Sequence, residues 1–146
     1  MKKHYFLVTV LLIFFLFAFQ NFSNAQAALN VTTSTGSASY LVTPAYFSAD
    51  FNNESGDLVL VDDGMGTRSD GCEMMFGLGG KIALIDRGNC PFTQKALNAQ
   101  SAGAIAVVIC NNVQEDNFMM PGSTNGQMNI PVMILDLNSC NTIKSD

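Results

Sequence analysis

The sequence predicts an α+β domain, a mixed sheet system with one or two flanking helices. Three observations carry this. "KIALIDR" (81–87) and "AIAVVIC" (104–110) are apolar strand-like runs, joined by the helix-patterned "CPFTQKALNAQSAG". Strand, helix and strand with short connections are the signature of a right-handed parallel crossover. "IPVMILD" (130–136) is a further apolar run. Finally, residues 26–53 have no helical periodicity and read as short strands.

The elements follow in order. Met1–His4 is a basic head, and Tyr5–Phe19 is an uncharged run of mainly Leu, Phe, Ile and Val. Ser23 and Ala25 are small residues at the −3 and −1 positions of a cleavage site. That order predicts a secretory signal peptide over 1–25, cut after Ala25, and hence a secreted protein. The rival is a membrane anchor, but the run is about 15 residues and a spanning helix wants roughly 20. No cysteine lies near the cut to carry a lipid anchor.

"LNVTTSTGSASYLVTPAYFSADF" reads as short strands broken by Gly36 and Pro44. "GDLVLVDD" (56–63) reads as a compact apolar strand and "GMGTRSDG" (64–71) as a loop. In the helix, Pro91 suits the first helical position, where its missing N–H costs nothing. Phe92, Ala96, Ala99 and Gly103 mark one buried face at steps of four, three and four. Gly103 suits the left-handed position past the helix end. Residues 111–129 form a long irregular loop. "NSCNTIKSD" begins a last helix, capped by Asn138 or Ser139.

The predicted mature chain, Gln26–Asp146, has 121 residues, enough for a single core. Five basic residues then stand against twelve acidic ones, a net charge near −7. That balance argues against nucleic acid and anionic lipid as partners. The four cysteines are Cys72, Cys90, Cys110 and Cys140, and an even number in an exported chain reads as disulfides. Four cysteines allow three pairings, and the spacing alone leaves them open. With no C-x-x-C pair and His4 the only histidine, a zinc site is disfavoured.

Most catalytic chemistries are disfavoured by the residues present. Without a histidine beyond His4, the mature chain cannot assemble a Ser–His–Asp or Cys–His arrangement. "DDGMGTRSDG" lacks the D-x-D-x-D-G order and trailing glutamate of a calcium loop, so Asp62, Asp63 and Asp70 read as turn residues. "GLGG" (77–80) precedes a strand, the wrong context for a phosphate cradle. Met119–Met120 reads as core more than as a partner contact. Cys90, at a helix start beside Arg87, has the setting of a lowered-pKa thiol. The other cysteines favour a disulfide there instead.

"DGCEMM", "GGKIALIDRGNCPFTQKALNAQSAGAIAVVICNN" and "NIPVMILD" together closely resemble the protease-associated (PA) domain family. Its pattern "GKIALIxRGxCxFxxKxxNAxxAGAxAVVIxNN" is carried by Gly80–Asn112, and its "IPV" strand by Ile130–Ile134. The resemblance covers most of the mature chain, 26–146. It is nearest in flavour to PA domains of secreted bacterial peptidases such as fungalysin-type metallopeptidases. The luminal PA domains of plant sorting receptors and transmembrane ubiquitin ligases are also similar.

The resemblance implies a swivelling β/β/α fold, a small open barrel or sandwich with flanking helices. It implies no catalysis and no cofactor or metal. The expected role is to bind a peptide or protein segment or to accompany a linked peptidase domain. It pairs Cys72 with Cys90, which leaves Cys110 with Cys140. From the sorting receptors it carries over Arg87, Gly88, Asn89 and Phe92, with Cys90 among them, as ligand-loop residues. The family pattern continues into a closing strand beyond residue 146. Two readings follow: a secreted non-catalytic binding module, or an accessory fragment of a secreted peptidase.

Overall fold

A computed structural model describes residues 27–146; the predicted signal peptide lies outside the described residues. Uninterrupted apolar runs produce strands covered on both faces. These are β5 (Ile82–Asp86) and β6 (Ala106–Cys110), paired in parallel with Ile82 opposite Ala106. The helix α1 (Phe92–Ser101) makes the crossover between them.

The other elements are β1 (Ala28–Thr33), β2 (Gly36–Leu41), β3 (Thr43–Pro44), β4 (Leu58–Leu60), β7 (Val132–Leu135) and α2 (Leu137–Ser145). The main sheet runs β3-β7-β6-β5-β4, with β3 antiparallel to β7 and the other pairs parallel. Pro44 sits on its edge strand, where a missing donor is tolerated. β1 and β2 form a separate antiparallel ribbon. The described residues form a mixed α+β arrangement without a closed barrel.

Period-two alternation divides the core into two layers. Ala83, Ile85, Val107, Ile109 and Ile134 pack in one layer with Ala96 and Ala99 of α1. Leu84, Val108, Met133 and Leu135 pack in the other, with Leu29 of the ribbon and Cys140 of α2. Full burial of each Val, Ile or Leu contributes roughly 1.5–3 kcal/mol.

Several local expectations change. Strand β4 keeps only Leu58–Leu60 of the run 56–63, because Asp63 N–H already donates to Arg68 O at 2.8 Å and turns the chain into its loop. Pro91 is the N-cap rather than the first helical residue, with ψ of 146°. Its carbonyl accepts from Gln94 and Lys95 N–H. Phe92 is only half-buried and Gly103 is exposed, whereas Lys95 is wholly buried. Gly103 has φ of +94°, and a Cβ there would lie 3.1 Å from Gly79 Cα. The cap of α2 is Asp136: its carboxylate accepts from Ser139 N–H at 2.9 Å and from the Ser139 hydroxyl at 2.6 Å.

Candidate ligand-binding corner

Strand β5 ends at Asp86, and Arg87 N–H extends its ladder by donating to Cys110 O at 2.9 Å. The chain must then reverse into α1 within a few residues. Gly88 (φ +130°) and Asn89 (φ +60°) supply the turn; asparagine is among the few side chains that visit the left-handed region readily. Cys90 closes it through a disulfide to Cys72, with Cα atoms 5.8 Å apart. A second disulfide joins Cys110, at the end of β6, to Cys140 in α2. No described cysteine is free, so Cys90 offers no thiolate in this state.

The Arg87 side chain is only partly exposed. Its Nη1 donates to Asn111 Oδ1 at 2.6 Å and to Glu115 Oε1 at 2.7 Å. Its guanidinium carbon lies 5.0 Å from the Phe118 ring centre and 5.9 Å from that of Phe92. The two rings are 6.1 Å apart, tilted by 59°. Hydrogen bonds from Arg87 and then Asn111 hold the Glu115 carboxyl below its ordinary range. Asp86, next to Arg87 in the chain, meets Lys144 and the Ser69 hydroxyl.

Only one arginine nitrogen is used. Nε and Nη2 have no hydrogen bond among the described residues and are not buried orphans, so two fork donors reach solvent. Beyond Glu115 lies an open groove of about 760 Å³, lined by Tyr40, Leu41, Glu115, Asn117 and Asp136 among others. Asn117 carries the sole buried, unpartnered side-chain polar atom among the described residues, Oδ1.

A second layer fixes the corner from below. Asn98 Nδ2 lies 3.0–3.1 Å from the carbonyls of Gly71, Cys72 and Glu73, and Gln94 Nε2 donates to Cys72 O at 2.7 Å. Lys95 Nζ donates to Asp70 O, and Asn89 Nδ2 donates to the Asp70 carboxylate. Burial pushes the Asp70 carboxyl up, but the bonds from Asn89 and Cys72 N–H and the charge of Lys95 outweigh it and leave it lowered. Burial lowers the Lys95 ammonium, offset in part by Asp70 and Asp63.

Arg87, Gly88, Asn89 and Phe92 thus share one corner, with Asn89 turned inward to the 67–70 loop. Sequence reasoning missed Asn111, Glu115, Phe118, Lys95 and Asn98. Lys95 and Asn98 flank the small residues Ala96 and Ala99, a charge and an amide beside an apolar stripe, which was the available signal. Met119–Met120 divides, with Met120 fully buried and Met119 exposed. In the loop read against calcium, Asp62 is forked to Arg68 at 2.6–2.8 Å. Asp63, Asp70 and Glu73 do converge, with carboxylate oxygens within 4.8 Å of one another. No described helix is long and apolar enough to cross a membrane.

Residues 41–143 match the family model of the PA domain. The chain belongs to the PA domain family. It is 34% identical over 110 residues to the aminopeptidase YwaD of Bacillus subtilis, covering 75% of this chain and 24% of that protein. It is 40% identical over 67 residues to a signal peptide peptidase-like 4 protein of Oryza sativa subsp. japonica, covering 44% of this chain and 12% of the other. Among solved structures it resembles a zinc aminopeptidase from Bacillus subtilis, with a TM-score of 0.59 and 27% identity over 83% of this chain and 29% of that one. This PA domain therefore spans under a third of each of these proteins. Both bacterial matches are aminopeptidases, which does not support the narrower resemblance to fungalysin-type metallopeptidases.

Proposed function

We propose that this chain is an exported, non-catalytic PA domain whose Arg87 corner holds a peptide or protein segment. The observation that carries the reading is the half-used guanidinium. Glu115 and Asn111 orient it through Nη1, and two aromatic rings support it. Nε and Nη2 remain for a carboxylate or carbonyl of a bound segment, the geometry to which an arginine fork is suited. The neighbouring groove offers room for the rest of such a segment. With its cysteines paired and no histidine after His4, the PA domain has no evident nucleophile–base pair.

The test is binding of the exported chain to a peptide panel with free or amidated C-termini. Arg87→Lys keeps the charge but not the fork and should weaken capture; equal binding by wild type and Arg87→Ala would defeat the reading. Hydrolysis of peptides by the purified chain would defeat the non-catalytic part.

A second reading is favoured by the zinc aminopeptidase match: the chain is the accessory part of an exported peptidase. Reading the coding sequence downstream of Asp146 for a metallopeptidase segment such as H-E-x-x-H, or for a serine-hydrolase G-x-S-x-G, decides between them.

A further inference from the structure

The loop beside the Cys72–Cys90 disulfide shows an arrangement that the Arg87 network does not use. Met65, Met74 and Phe76 are 64%, 71% and 79% exposed, while Met75 between the last two is buried at 3%. One carboxylate joins the two halves of this loop. Asp63 Oδ1 accepts from Met65 N–H at 3.3 Å, and its Oδ2 accepts from Glu73 N–H at 3.4 Å. The main chain at Met65 and at Glu73, which precedes Met74, is therefore held on one carboxylate, with Phe76 three residues after Glu73.

The main chain under Met74 is held in place. The disulfide, Asn98 and Gln94 hold Gly71–Glu73, and Met75 anchors the strip in the core. Little main-chain freedom remains to be lost at Gly71–Met75 when something binds there. Its charged surroundings are net negative. Asp63, Asp70 and Glu73 converge within 4.8 Å, and Asp62 lies at the loop's start. Of the nearby cations, Arg68 is committed to Asp62, and Lys95 is buried under the loop. Asp63 and Asp70 are buried, so Glu73 is the carboxylate that this cluster exposes. Large apolar side chains held outward beside it mark a surface for a complementary partner.

We propose that Met65, Met74 and Phe76, with Glu73 beside them, dock a protein segment carrying apolar side chains flanked by lysine or arginine. The proposal rests on the reading of the chain as a partner-binding module and assigns the contact to residues other than Arg87.

The test is selection of random displayed peptides on the intact exported chain. Enriched peptides should pair aliphatic or aromatic residues with Lys or Arg. Affinity for a selected peptide should fall about tenfold or more with Phe76→Ser and with Glu73→Lys, as for a central contact. It should be unchanged by Arg87→Ala. Selection repeated on Glu73→Lys should lose the basic preference. Unchanged melting curves and absence of free thiols would show that these variants fold.

Other outcomes overturn it. No enrichment, or equal binding by the Phe76→Ser variant, removes the apolar contact. Binding abolished by Arg87→Ala alone would uphold the Arg87 reading and sink this one. Self-association lost on Phe76→Ser would assign the ridge to a second copy. Peptide binding that requires calcium would assign the carboxylates to a cation instead.

Discussion

The buried ammonium of Lys95 donates to the main-chain carbonyl of Asp70, 25 residues earlier in the chain. It also lies 3.5 Å from Cys72 Sγ. One side chain of α1 thus supports both the acidic loop and the disulfide that pins the Arg87 corner. The position links packing to function: whatever binds above depends on a charge held below.

Replacing Lys95 by methionine keeps much of the side chain's bulk and removes the charge. The Asp70 carbonyl would then lose its donor, and the buried Asp63 and Asp70 a nearby positive charge. The expected cost is about 1–3 kcal/mol, the usual range when a buried acceptor is left unpaired. Urea unfolding with disulfides intact measures it. A loss below about 1 kcal/mol would show that the ammonium does not support the loop.

Asn98 makes a sharper case through the direction of its bonds. Its Nδ2 faces three carbonyls. Asn98→Ala should cost about 1–3 kcal/mol by leaving acceptors unpaired. Asn98→Asp should cost more, since it aims an anion at the same oxygens. If the aspartate variant were as stable as the alanine variant, this account of the clamp would fail.

The crossover β5–α1–β6 was readable because apolar strands and a helical stripe differ in period. Asp136 was missed as the cap because it stands at the end of the apolar run "IPVMILD", where it reads as the strand's last residue. Lys95 was missed because a charge is read as solvent-facing until the loop that covers it is placed. Glu115 and Phe118 come from an irregular segment with no period, and only the fold shows them against Arg87. The Arg87 corner was legible as a family pattern. Its supporting charges were not, because they are contacts between distant segments.

The Cys110–Cys140 bridge is predicted to secure α2. It closes 30 residues, for which chain entropy suggests about 3–4 kcal/mol of stabilisation. In the paired serine variant, amide exchange should accelerate across Leu137–Ser145 while α1 stays protected. Equal protection of both helices before and after the change would show that packing of α2 suffices without the bond.

Glu115 supplies the pH-dependent part of the corner. Its hydrogen bond from Arg87, followed by that from Asn111, lowers its folded-state pKa from the ordinary 4.5. A depressed carboxyl contributes stability that is present above the unfolded value and is lost as pH falls through the folded value. The Arg87–Glu115 link should therefore persist through pH 4.5 and open only in more acidic solution. Carboxyl NMR titration checks this directly. Glu115 should titrate below 4.5 in the wild type and move back towards the ordinary value in Arg87→Gln. An identical ordinary titration in both proteins would mean that the link is absent in solution. The free fork donors of Arg87 would then lose the group that orients them.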